Sequence, residues 1–155
     1  MKGTYSQIYV QFVFAIKGHD NCLQKTFRDQ VFKYMSSIIT AKGQKSIIVN
    51  GVEDHVHLFV GLEPSIAISD LVRDVKNNTS KFINEKSFVK SKFSWQEGYG
   101  AFSYSQSHID RVYKYILNQE AVHKKQTFKE EYLDFLKKFE VQYDEKYLFD
   151  WIELQ

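Results

Sequence analysis

Between residues 5 and 16 the apolar side chains alternate. Ile8, Val10, Phe12, Phe14 and Ile16 fall on one face, with Gln7 and Gln11 on the other. A period of two is that of a strand, so a strand is predicted over 5–16. The period changes after Leu23. Phe27, Val31, Tyr34, Met35 and Ile38 recur every three or four residues up to Gly43, a natural helix stop, and predict a helix over 23–41. Residues 47–52 and 55–61 read as two further strands, with a tight turn near Glu53-Asp54. Beyond Pro64, Leu71, Val72, Val75, Phe82 and Ile83 trace the apolar face of a second helix, whose other face offers Arg73, Lys76 and Lys81. Residues 93–97 and 101–105 flank Gly98-Tyr99-Gly100 and predict a hairpin. Ser107 and Asp110 have capping-box spacing ahead of a helix running from near His108 to about Val122. Thr127 and Glu130 repeat the signal ahead of a last helix holding Tyr132, Phe135, Leu136 and Phe139.

The resulting order, β-α-β-β-α-β-β-α-α, predicts an α+β fold. Its centre is a ferredoxin-like antiparallel sheet of about five strands, with helices on one face and additional C-terminal helices. That architecture hosts many functions, so function must be argued from particular residues.

Composition narrows the class. The chain has 155 residues, 43% hydrophobic and 26% charged, ordinary for one globular domain and unlike a disordered or fibrous chain. One Pro and seven Gly leave little material for a linker. A single domain is expected over 1–143, followed by an acidic tail over 144–155. The net charge is +2, and that tail carries four acids against one Lys, so the body is the basic part. This polarity is compatible with a phosphate-bearing partner. Cys22 is the only cysteine, which excludes an intrachain disulfide and a cysteine-based metal site. The longest apolar run, 12–16, is far short of the ~20 residues that span a membrane. Gln7 and Gln11 interrupt any signal-peptide pattern, so a soluble protein of the cytoplasm is expected, with no membrane partner. Ten tyrosines among 25 aromatics are the compositional oddity to be placed.

Two short segments carry chemistry. In Asp54-His55-Val56-His57-Leu58-Phe59-Val60, His55 and His57 are two apart on a strand and project to one face. Two imidazoles on a rigid strand make half of a divalent-metal site. Asp54 and His108 are candidates for the outer partner that a metal-bound histidine calls for. On the helix after Ser107, Tyr115 and Gln119 are i and i+4 and share a face, with Arg111 one turn earlier. Ile109, Val112 and Ile116 make the buried stripe, which leaves Tyr115 off it. The Gln119 carbonyl oxygen has the chemistry to complete a mixed N/O site. Tyr113 competes with Tyr115 but lies about 200° around the helix and cannot share a face with Gln119.

Together these segments resemble the single-tyrosine transposases of the HUH class, of the IS-two-hundred insertion-sequence type. His55-Val56-His57 matches the HUH triplet. Tyr115-Ile116-Leu117-Asn118-Gln119 matches the segment that holds the nucleophilic tyrosine and, four residues on, the third metal-binding side chain. Trp95-Gln96-Glu97-Gly98-Tyr99-Gly100-Ala101-Phe102-Ser103 and the basic helix segment Leu71-Val72-Arg73-Asp74-Val75-Lys76 are also similar to family stretches. The resemblance covers most of the chain. It implies cleavage and rejoining of single-stranded DNA through a covalent 5′-phosphotyrosine on Tyr115, with Mg²⁺ or Mn²⁺ on His55, His57 and Gln119. It further implies a single-stranded or hairpin DNA partner contacted by Arg73, Lys76 and Lys81. A homodimer sharing its active sites is expected from the same likeness, as is action at the nucleoid of a bacterial or archaeal cell. Two other readings fit part of the pattern: a non-catalytic, domesticated binder of hairpin or single-stranded nucleic acid, and a two-histidine metal-dependent hydrolase.

Overall fold

The computed structural model describes residues 2–152; Met1 and residues 153–155, the end of the expected acidic tail, lie outside it. Four strands form one sheet: β1 (Tyr9–Ala15), β2 (Lys45–Gly51), β3 (His55–Gly61) and β4 (Gly100–Tyr104). Their order is β2-β3-β1-β4 and every neighbouring pair is antiparallel. Helices α1 (Arg28–Ala41) and α2 (Ile68–Lys86) occupy the two crossovers. After β4 come α3 (Ile109–Leu117), α4 (Gln119–Val122) and α5 (Phe128–Lys138). This is the α+β, ferredoxin-like arrangement that the alternation predicted, with four strands in place of about five.

The missing strand has a physical cause. Segment 93–97 makes one isolated bridge, Trp95 to Ile16. Its backbone is satisfied by side chains of α2 instead of by a hairpin partner. Asn84 accepts from Phe93 N–H at 2.7 Å and donates to the Phe93 carbonyl at 3.1 Å. The Lys76 ammonium donates to the carbonyls of Gln96 and Gly98 at 2.9 and 2.6 Å. With its polar groups taken, the segment need not pair as a strand.

Register sorts the side chains onto two faces. Val10, Phe12, Phe14, Val56, Leu58 and Val60 are buried on one face, under α1 and α2; Lys76 of α2 lies 5.2 Å from the Phe14 ring centroid. The opposite face presents Gln11, Val13, His55, His57, Phe59 and Phe102 to the C-terminal helices. Phe59 packs with Val112 and Ile116 of α3, and Phe102 stacks on Phe135 of α5 at 5.1 Å. Both faces are therefore covered, and the two strand histidines are fully buried.

The helix expected over 108–122 is broken at Asn118. The cause lies 66 residues away in sequence: the Asn50 amide on β2 donates to the carbonyls of Ile116 and Leu117, at 2.9 and 3.2 Å. It thereby caps the end of α3 and fixes that helix against the sheet. Ser107 makes no cap; its hydroxyl bonds to Ser105 instead. Thr127 and Glu130 do form the reciprocal capping box that opens α5. Replacing Thr127 by Ala is expected to lower stability by about 1 kcal/mol, read as a shifted denaturation midpoint at unchanged slope; an unshifted midpoint would remove the cap from the account of α5.

Candidate active site

Four elements supply one buried cluster. The turn into β3 is closed so tightly that a Cβ on Gly51 would collide with the backbone carbonyl of His55. That turn sets Asp54 and His55 in place. The Asp54 carboxylate accepts from His55 Nδ1 at 2.7 Å, the outer partnership expected of it. His57 meets the Gln11 amide of β1 through Nδ1 at 2.9 Å, and the Tyr104 hydroxyl donates to the Gln11 carbonyl oxygen at 2.8 Å. Arg28 of α1, itself buried, reaches Glu120 of α4 at 2.7 Å and Glu53 of the turn at 3.5 Å. It ties the helix that begins with Gln119 to the turn that precedes His55.

Tyr115 and Gln119 arrive from α3 and α4 of the same chain. Gln119 Oε1 lies 3.3 Å from His55 Nε2. The Tyr115 ring packs edge-on to His57, with centroids 6.1 Å apart. Tyr113 points away and is exposed. His108 is exposed and bonds to Ser105, outside the cluster.

Two residues that the sequence reading did not select complete the cluster. Glu131 of α5 is 1% exposed. Its Oε1 lies 3.1, 3.2 and 3.2 Å from the Nε2 atoms of His55, His57 and His123. Its Oε2 accepts from Gln119 Nε2 at 3.1 Å and from the Tyr115 phenol. His123 also reaches Gln119 Oε1 from Nε2 at 3.1 Å, while its Nδ1 donates to the Gln126 carbonyl. Both had a signal in the sequence. His123 is four residues after Gln119, and Glu131 lies between Phe128 and Phe135 on the apolar flank of its helix, where an isolated acid is out of place.

The electrostatics follow from burial and proximity. Burial alone would lower the His55 pKa, but its bonds to Asp54 and Glu131 lift it to about 9. Burial pushes His57 down. Burial opposes ionisation of Glu131, yet the imidazoles around it hold its carboxyl well below the usual carboxylate range. Burial, then the charge of Glu131, pushes the Tyr115 phenol far above its ordinary value.

The donor set fits a divalent cation. Ligand atoms of His55, His57, His123 and Glu131 all lie within 4.8 Å of one another. The Nδ1 atoms of His55 and His123 are held by oxygen acceptors, which leaves Nε2 of each ring facing the centre, free to ligate an ion once deprotonated. Three imidazoles with carboxylate and amide oxygens suit a first-row transition ion better than Mg²⁺.

Arg73, Lys76 and Lys81 are not brought to this cluster; α2 lies against the other face of the sheet. Arg73 pairs with Asp70 and Asp74 at 3.1 and 3.2 Å. Lys76 is half-buried on its two carbonyls, and burial pushes its pKa down to about 8. Beyond 143, Phe149 is buried with its ring 5.0 Å from Tyr132 of α5, and Gln96 bonds both backbone groups of Asp150. No helix among the described residues is long and apolar enough to cross a membrane.

The sequence description of the family "Transposase IS200 like" matches residues 4–119. A candidate transposase from Deinococcus radiodurans R1 has a similar crystal structure, with a TM-score of 0.62 at 21% identity, covering 77% of this chain and 95% of that one. A REP-associated tyrosine transposase, solved bound to a REP hairpin, superposes with a TM-score of 0.59 at 12% identity, covering 79% of this chain and 73% of that one. Both likenesses are of fold. No curated protein matches the sequence.

Proposed function

This chain belongs to the IS200-like transposase family, and on that premise we propose that it cuts and rejoins single-stranded DNA at insertion-sequence ends with Tyr115 as the nucleophile. The observation that carries the reading is the delivery of one phenol, Tyr115, onto a buried carboxylate ringed by three imidazoles, all from a single chain.

A divalent cation on His55, His57 and Gln119, with His123 and Glu131 at the same centre, would polarise a non-bridging oxygen of the scissile phosphate. Of Mg²⁺ and Mn²⁺, the imidazole-rich donor set favours Mn²⁺. Tyr115 Oη attacks phosphorus, and its proton, already shared with Glu131 Oε2 in a hydrogen bond, is relayed through that carboxylate to water. The bond from phosphorus to O3′ breaks as the bond to Tyr115 forms. The departing O3′ takes a proton from water, leaving a 3′-OH and a 5′-phosphotyrosine. Attack by another strand's 3′-OH reverses the step with the proton returned to the phenol, and the phosphoester count is unchanged, so joining needs no nucleotide. Asp54 and Gln11 hold the two strand histidines in orientation.

The related REP-associated enzyme was solved on a hairpin, and a hairpin or flanking single strand is the partner proposed here. Arg73 and Lys81 on the exposed side of α2 are left for phosphates remote from the reaction centre. With Tyr115 and Gln119 already beside His55 and His57, the site works in cis in this reading, and exchange of helices between two copies is not required. Hairpin DNA from the ends of the element, incubated with Mn²⁺, is expected to give a denaturation-resistant protein–DNA adduct that chelator prevents. Tight binding without an adduct would favour the non-catalytic binder; multiple-turnover hydrolysis without one would favour the hydrolase.

A further inference from the structure

Beside the Tyr115 ring, on the side away from His123, the structure opens a cavity of about 490 Å³. That is within the range of a small-ligand site and far more than a phosphate alone requires. Tyr104 and Phe139 form an aromatic wall, their rings edge-on at 5.4 Å. Arg111, Lys138 and Asp134 stand exposed at the mouth. A second cavity, of about 890 Å³, is lined by Asp54 and His123, by Lys124, Lys125 and Lys129 and by the acids Glu53 and Glu130, and Tyr115 does not line it.

We propose that the cavity beside Tyr115 receives the nucleobase of the nucleotide immediately 3′ of the cleaved phosphate. The inference rests on Tyr115 being the nucleophile. Phosphoryl transfer holds attacking and leaving oxygens roughly in line. The departing O3′ therefore points away from Tyr115. The nucleotide that stays joined through its 5′-oxygen is the one left on the tyrosine side. There Tyr104 and Phe139 offer ring faces and edges to a base, and Arg111 and Lys138 offer cations to the next phosphate. Asp134 only accepts hydrogen bonds, so at the 4-position of a pyrimidine it favours the N4 amino donor of cytosine over the O4 acceptor of thymine.

The test uses the full chain with Mn²⁺ and two hairpin substrates, one intact and one abasic at that single position. With the wild-type protein the abasic strand should form adduct roughly tenfold more slowly. In Phe139→Ala the two strands should react at similar rates, because the wall that distinguishes them is gone. Phe139 is half-buried, so Asp134→Asn at the exposed mouth gives a second measure: wild type should prefer cytosine to thymine at this position, and the variant should narrow that preference. Equal wild-type rates on intact and abasic strands, with adduct still forming, would overturn the subsite and leave the Tyr115 reading intact. No adduct with either strand would remove the Tyr115 reading, and the subsite with it.

Discussion

Tyr115→Phe should abolish the covalent protein–DNA adduct while leaving hairpin binding and the fold in place. Removing a nucleophile that acts as one unit with its neighbours costs several orders of magnitude; a fall of at least about 10⁴-fold in adduct rate is expected. The substitution deletes only the phenolic oxygen. Glu131 keeps its three imidazole partners and Gln119, so no buried charge is orphaned, and the change in stability should stay within about 1.5 kcal/mol. The ring itself, packed against His57 and Phe135, is retained. Tyr113→Phe is the matched control: its side chain is exposed and on another face of α3, and its adduct rate should be that of wild type. Radiolabelled hairpin DNA resolved under denaturing conditions reads both variants. An adduct that survives in Tyr115→Phe, or disappears in Tyr113→Phe, would move the nucleophile to another residue.

Local sequence spacing singles out Tyr115 but shows Glu131 only as an isolated acid on an apolar flank, and the difference is one of range. His55 and His57 were legible because a strand has a period of two and its register is fixed by the apolar residues between them. Tyr115 and Gln119 were legible because a helix repeats after four residues. The order of strands and crossovers followed from the same two periods. What escaped depends on groups distant in sequence. The predicted strand at 93–97 dissolves because Asn84 and Lys76 of α2 take its backbone groups. The helix after His108 breaks at Asn118 because Asn50 captures two of its carbonyls. The basic face of α2 was visible as a pattern, but no local pattern states which side of the sheet a helix covers, and this one covers the side away from the histidines. Glu131 belongs with these cases. Its role comes from how α5 folds back over the sheet, held by the Thr127 cap and by the packing of Phe128, Tyr132 and Phe149.

Glu131→Gln is the second large effect, and it lowers both the stability of the metal-free protein and the rate of the reaction. In the metal-free protein the Glu131 carboxylate is the shared counter-charge of three imidazoles, two of them fully buried. Gln has nearly the same shape but no charge, and its amino group would face N–H groups of its neighbours. His55, held up at about 9 partly by Glu131, would keep only Asp54 as an anionic partner. Breaking one side of a buried ion pair typically costs 3–5 kcal/mol. Hydrogen bonds retained by the amide oxygen put the expected loss near the lower end, about 3 kcal/mol, measured by urea unfolding in the presence of chelator. In the reaction, the same change removes the acceptor for the Tyr115 proton. General-base removal should slow adduct formation by about 10²- to 10⁴-fold, and loss of one anionic oxygen from the donor set should weaken Mn²⁺ binding at least about tenfold. The two consequences separate experimentally. If Glu131 were only a structural counter-charge, saturating Mn²⁺ would restore the adduct rate along with the fold. If it is also the proton acceptor, the variant refolds around the ion, as its unfolding midpoint would report, and still reacts slowly. Wild-type stability of Glu131→Gln in chelator would show instead that the imidazoles around it are neutral, and would remove the charge argument for this cluster.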